Sequence, residues 1–176
     1  PNPVADYSIN DTFQCFGGNQ FNFTNNSTIS SGTNTYFWRF DLFTANDTST
    51  QVSPTKTYTS DGTFQIRLTA ISDKNCRDSL VKQVTVTPEI VNNTITASQT
   101  LCSGSVPTAL RQTSGVVGGG NGTFTYQWQR STDSATWVNI SGATNVGYTP
   151  PAITDTTWFR RIVTSGSCDD TSAPIR

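Results

Sequence analysis

Apolar and polar residues alternate along most of this chain with the two-residue period of a half-buried strand. The clearest run is Gly62–Ser72, where Phe64, Ile66, Leu68 and Ala70 fall on one face and Gln65, Arg67 and Thr69 on the other. The same period joins Phe21 to Phe23 in Gln20–Asn25. In Thr35–Phe43 it joins Trp38 to Phe40, with Phe37 opposite, and in Thr123–Ser131 it joins Phe124, Tyr126 and Trp128. Ser79–Pro88, Ile95–Gly104 and Thr156–Cys168 read as further strands. Turn residues separate the runs: Gly32, Asp61–Gly62, the SDKNC segment from Ser72, Ser141–Gly142 and Asn145–Gly147. Short strands at this spacing predict an all-β fold of two tandem Ig-like β-sandwich domains, 1–90 and 91–176. Each half has an early cysteine, a tryptophan strand, a tyrosine before a turn (Tyr58, Tyr148) and a late cysteine.

Composition narrows the chemistry. The chain has 176 residues, a formal net charge of −1, 11 Lys+Arg and no histidine. Without histidine, Ser-His-Asp and Cys-His catalysis and histidine-bound zinc are excluded within this chain. Low basic content argues against nucleic acid as a partner. No apolar stretch is long enough for a spanning helix, so no membrane insertion is expected. Both ends look like cuts within a longer protein, so the chain is expected to be a segment of one. Glu89 is the single glutamate and the aspartates are scattered over turns, so paired-carboxylate hydrolysis has no signal and no catalytic residue is assigned.

The four cysteines, Cys15, Cys76, Cys102 and Cys168, allow three pairings. The pairing that lets each bond bracket one set of strands joins Cys15 to Cys76 and Cys102 to Cys168. Disulfides imply an extracytoplasmic location.

Other features are weighed against simpler roles. Asp41, Asp47, Asp61, Asp73 and Asp169–Asp170 sit near turns and could offer oxygen to calcium. No DxDxDG loop is present, and aspartate favours turns for local reasons, so no metal or cofactor is predicted. The glycine-rich run Val117–Thr123 lacks the lysine and following helix of a phosphate cradle and reads as a loop. Trp38 and Trp128, mid-strand among aromatics, read as core. Trp137 and Tyr148 flank polar turns and are the candidates for ligand contact through an exposed aromatic patch. Alternation sends Arg160 and Arg161 to opposite faces, one packing its stem over the sheet and the other solvated.

These strings carry a resemblance. CFGGNQFNFTNNS, YFWRF, KTYTSDGTFQIRLTAISDKNC and VKQVTVTP resemble a PKD domain, the polycystic-kidney-disease type of Ig-like sandwich. That family usually reads W-x-F-G-D-G after its tryptophan strand, whereas here Trp38-Arg39-Phe40 runs into Asp41-Leu42-Phe43. QTLCSGSVP, YQWQRSTDSATWVNISGATNVGYTPP and TTWFRRIVTSGSC resemble the Ig-like repeat that accompanies PKD domains in large surface proteins of the Bacteroidetes, gliding-motility adhesins and other type IX secretion cargo among them. The resemblance implies a non-catalytic structural or adhesive segment of a secreted bacterial cell-surface protein. Its partners would be other domains of the same long chain and surface glycans or other cell-surface proteins. The alternative is a carbohydrate-binding accessory module of a secreted polysaccharide-degrading enzyme.

Overall fold

The computed structural model describes residues 2–44, 46–113 and 115–176. The described residues form strands, turns and loops, and none is helical. Two compact units result, Pro1–Thr87 and Pro88–Arg176, each built as an Ig-like β-sandwich.

The first unit contains β1 (Tyr7–Ile9), β2 (Phe13–Cys15), β3 (Phe21–Asn25), β4 (Asn34–Arg39), β5 (Thr48–Ser49), β6 (Thr55–Lys56), β7 (Gly62–Ser72) and β8 (Arg77–Thr87). One sheet has the order β1-β3-β6 and the other β2-β8-β7-β4-β5. All pairings are antiparallel except β2 with β8, which runs parallel in the register Phe13↔Thr85 to Cys15↔Thr87. Alternation along β7 sends Ile66, Leu68 and Ala70 inward, and β3 contributes Phe21 and Phe23 from the facing sheet. Between the sheets lies an aromatic core of Tyr7, Phe21, Phe23, Trp38, Phe40 and Tyr58. Its polar atoms are satisfied from within. Tyr7 Oη donates to Ile66 O at 2.7 Å and accepts from the Lys82 amide, Tyr58 Oη donates to Phe40 O, and Trp38 Nε1 donates to Gln51 O.

The second unit contains β9 (Thr125–Ser131), β10 (Val138–Asn139), β11 (Trp158–Ser165) and β12 (Cys168–Thr171), in the antiparallel order β10-β9-β11-β12. The rest of the unit is tied by isolated bridges, including Ile95↔Gln112, Leu110↔Tyr148 and Ser105↔Ile153. The expected strand Ile95–Gly104 shrinks to the bridge at Ile95, because ASQTLCSG offers no alternating apolar face to hold a longer ladder. The core is small: Leu110, Trp128, Ala143 and Phe159, with Ile95, Ile140, Tyr148 and Ile175 packed against it.

The cysteines are not paired as the bracketing argument expects. Cys76 and Cys102 are free thiols, and Cys15 and Cys168 are the disulfide-bonded cysteines. Strand register explains why. Cys15 pairs with Thr87 at one end of β8, whereas Cys76 precedes Arg77 at the other end. Ten residue rises separate those ends, about 33 Å at ~3.3 Å per residue. Cys168 opposes Ser165 at the end of β11, while Cys102 lies beside the Ile153–Thr154 segment that leads into its start. A disulfide needs Cα atoms within about 7 Å, so neither expected pair can close. Bracketing a set of strands in sequence does not bring two residues to the same end of a sandwich.

Candidate functional site

The sheet of the second unit has two chemically different faces, set by the alternation of β11. Phe159, Arg161, Val163 and Ser165 are buried, and Trp158, Arg160, Ile162 and Thr164 are half-buried on the other side. The sequence argument correctly separates Arg160 from Arg161. Neither is the freely solvated one it expects.

Arg161 is 0% exposed. Its Nε and Nη2 donate to Asn93 Oδ1 at 3.0 and 2.8 Å, Nη1 donates to Val146 O at 2.6 Å, and Nη2 also donates to Gln112 Oε1. The guanidinium lies 5.3 Å from the Tyr126 ring and 5.7 Å from that of Trp128. Asn93 is held in turn by donating Nδ2 to the carbonyls of Arg161 and Asp170. Burial pulls the Arg161 pKa below its ordinary value, against the fields of Tyr126 and Asp170. This arginine is an internal hub that replaces apolar core with hydrogen bonds. Every donor direction used points inward, so it offers nothing to a ligand.

The outer face is different. Arg160 stacks its guanidinium 4.2 Å from the centre of the Trp137 ring and donates Nε to Gln129 Oε1 at 2.7 Å. Gln129 Nε2 donates to Asn139 Oδ1 at 2.8 Å. The register Asn139↔Gln129↔Arg160 places these three side chains in one cross-strand row. One residue along, Ser131 on β9 faces Trp158 on β11, and Trp137 immediately precedes β10 on the Asn139 face. The outer face therefore carries two half-buried indoles with a buried serine, Ser131, between their strand positions, beside a row of Arg160, Gln129 and Asn139. The loop from Thr132 to Trp137 is fastened by Asp133. Its Oδ1 accepts from Ser131 Oγ and from the amides of Ala135 and Thr136, which together hold its carboxyl well below the usual range.

The other sequence candidates resolve into structure. Trp137 stands on the outer face. Tyr148 does not: it pairs with Leu110 and packs between Trp128 and Phe159, at ring separations of 5.9 and 6.0 Å. It faces inward because its strand partner Leu110 is a core residue. Trp38 and Trp128 are fully buried. Trp158 was missed, although the alternation that separated the two arginines also puts it beside Arg160. Asp41 accepts from the Phe43 amide and Thr44 Oγ1, hydrogen bonds that lower its pKa, and Asp47 pairs with Lys56 at 2.7 Å. Among the described residues no group of three potential ligands could hold a metal ion. The glycine-rich run packs closely instead of forming a loose tip. A Cβ on Gly119 would lie 1.8 Å from Glu89 O, and one on Gly120 would lie 2.1 Å from Ser165 Oγ.

Residues 1–88 match the PKD domain family, and residues 91–175 match a domain of unknown function, DUF8696. Neither match assigns a catalytic role. Among solved structures, the PKD1 domain of the Vibrio cholerae metalloprotease PrtV is 28% identical over 49% of this chain and 98% of its own, with a TM-score of 0.41. The PKD1 domain of Vibrio anguillarum Epp is 22% identical over 49% of this chain and 94% of its own, also at 0.41. A multidomain segment of titin aligns with 100% of this chain and 65% of its own at 12% identity and a TM-score of 0.53, a likeness of fold. No curated protein matches the sequence.

Proposed function

The chain belongs to the PKD-domain family through residues 1–88, and from that premise we propose that it is a non-catalytic structural and adhesive segment of a large secreted bacterial cell-surface protein, of the kind that builds adhesion or gliding filaments. PKD and Ig-like sandwich modules are typical of extracellular bacterial proteins, and disulfide-bonded cysteines agree with that compartment.

The observation that carries the reading is the parallel pairing of β2 with β8 in the first unit. These strands lie near opposite ends of the unit's chain. Tension applied to those ends pulls two parallel neighbours in opposite directions, so their hydrogen bonds are sheared together rather than opened one by one. The Phe16 amide to Thr87 O and the Thr85 amide to Thr12 O, both 2.8 Å, extend the patch beyond the ladder. A unit built this way holds its length under load, which is what a spacer that presents contact surfaces needs.

The test is single-molecule extension of the chain between fixed handles, with Cys15 and Cys168 reduced so that load passes through the strands and not through a disulfide. The first unit should unfold in one distinct force peak, and Phe16→Pro, which deletes a donor from the sheared patch, should lower that peak. Extension of the first unit without a peak, or a peak unchanged by the substitution, would discard the load-bearing role.

A further inference from the structure

The outer face of the second unit is built as though for a ligand. Arg161 is surrounded by acceptors for its terminal nitrogens, whereas Arg160 has one edge fixed by Gln129, one face covered by Trp137, and no hydrogen bond from Nη1 or Nη2 among the described residues. No described ion pair involves Arg160. Of the carboxylates near this face, Asp169 opposes Thr164, two residues beyond Ile162 along β11, and Asp133 is taken up by Ser131 Oγ and the amides of Ala135 and Thr136. A long side chain loses rotamer freedom when it is immobilised, and here that loss is not offset by an internal partner for the fork. What is gained is a guanidinium held in a fixed orientation, the state that binds a planar carboxylate through two parallel hydrogen bonds with least further loss of freedom.

The surroundings indicate what carries the carboxylate. Ser131, 3% exposed, pairs with Trp158, and Trp137 precedes β10 on its other side, so the backbone positions of the two tryptophans lie two strand spacings apart, or about 10 Å. Indoles held on one sheet face, the Trp137 ring carrying Arg160 on one side, suit the apolar faces of pyranose rings. The relay from Arg160 through Gln129 ends at Asn139, an exposed residue whose Nδ2 is left to donate to a hydroxyl. A peptide would use an unpaired sheet edge or an apolar groove. This is a sheet face of aromatic, amide and guanidinium groups, which matches the mixed apolar and hydroxylated surface of a sugar chain.

We propose that this face, through Trp137, Trp158, Arg160 and Asn139, binds polysaccharide made of carboxylate-bearing sugars. The proposal rests on the reading of this chain as a presenting module and names the surface presented.

The experiment is affinity electrophoresis of the 176-residue chain in gels containing polygalacturonate, its methyl ester or dextran sulfate, with circular dichroism of every variant. Retardation by polygalacturonate is expected, with at least tenfold weaker binding to the ester, where the carboxylate charge is gone, and to dextran sulfate, whose anion is not planar. Arg160→Gln should weaken binding at least tenfold and Trp158→Ala comparably, with β spectra retained. Arg160→Lys should recover less than half of the loss, because an ammonium lacks the fork. A folded chain that polygalacturonate does not retard, one that binds the ester equally well, or an Arg160→Gln variant that binds like the parent would each overturn the proposal while leaving the load-bearing reading intact. The force measurement tests that reading separately.

Discussion

The two units solve one problem, how to bury a central tryptophan, in different ways. Trp38 and Trp128 are both fully buried, and each donates its indole N–H to a backbone carbonyl, Gln51 O at 2.9 Å and Asn145 O at 3.0 Å. Around Trp38 the first unit packs rings: Tyr7 at 5.0 Å and Phe23 at 5.6 Å, with Phe40, Phe21 and Tyr58 behind them. Around Trp128 the second unit packs Tyr148 at 5.9 Å, Phe159 in the same small cluster, and a buried cation, Arg161. The backbone follows suit. Where rings fill the interior, both layers are laddered sheets. Where an arginine fills it, one layer is a sheet and much of the rest is fastened by single bridges and side-chain hydrogen bonds. A side chain that reaches three acceptors at once, through four hydrogen bonds, can order irregular segments that supply too little apolar surface to pack as strands.

Three substitutions or conditions test that contrast. The largest effect is expected at Trp38. Trp38→Ala removes the centre of the aromatic cluster and should destabilise the first unit by about 3–5 kcal/mol. Urea denaturation followed by far-UV circular dichroism should show the first unit's transition moving to lower urea while the second's is retained. Arg161→Met keeps an unbranched apolar stem but removes the guanidinium that donates to Asn93 Oδ1, Val146 O and Gln112 Oε1. It should cost the second unit about 3 kcal/mol by the same measurement, through lost hydrogen bonds to buried acceptors together with the space the guanidinium vacates. If Met were neutral, the hub would be ordinary packing and the contrast would fail.

The smallest effect is expected with alkali. Burial raises the pKa values of Tyr7 and Tyr58 above the ordinary tyrosine value of 10.0, and both hydroxyls donate to backbone carbonyls, which a phenolate cannot do. A folded pKa above the unfolded one gives stability that is present in full below the unfolded value. It is lost as pH climbs from that value toward the folded one. The first unit should therefore weaken as pH passes about 10. The Tyr7→Phe, Tyr58→Phe double variant should lose most of that slope in a pH series of urea midpoints. An unchanged slope would place the alkaline sensitivity elsewhere.

Legibility in the sequence follows the same divide. In the first unit the strand Gly62–Ser72 has the bounds its alternation predicts, because an inward apolar row specifies register. Thr35–Phe43 is cut back to Asn34–Arg39, the chain turning at Phe40 toward the Asp41 loop. In the second unit Trp128 and the split between Arg160 and Arg161 were readable from alternation. The hub was not, since Asn93 and Gln112 reach Arg161 from distant parts of the chain with no periodic signal. The outer face was half readable. Trp137 stood out beside its turn, but linking it with Trp158 and Arg160 requires the register of three strands. Tyr148 and the cysteine pairs failed for a common reason: position along the chain says little about which side or end of a sandwich a residue occupies.

The glycine run from Gly118 to Gly122 has a consequence of its own. Composition marks it as the most pliable stretch of the chain, yet Gly119 and Gly120 are pressed against Glu89 O and Ser165 Oγ with no room for a methyl group, whereas Gly122 has open space around it. Two neighbouring codons should accordingly be frozen in any population of functional sequences while the one two places on drifts under conformational constraint alone. The segment that would be trimmed first as a floppy linker is a keystone.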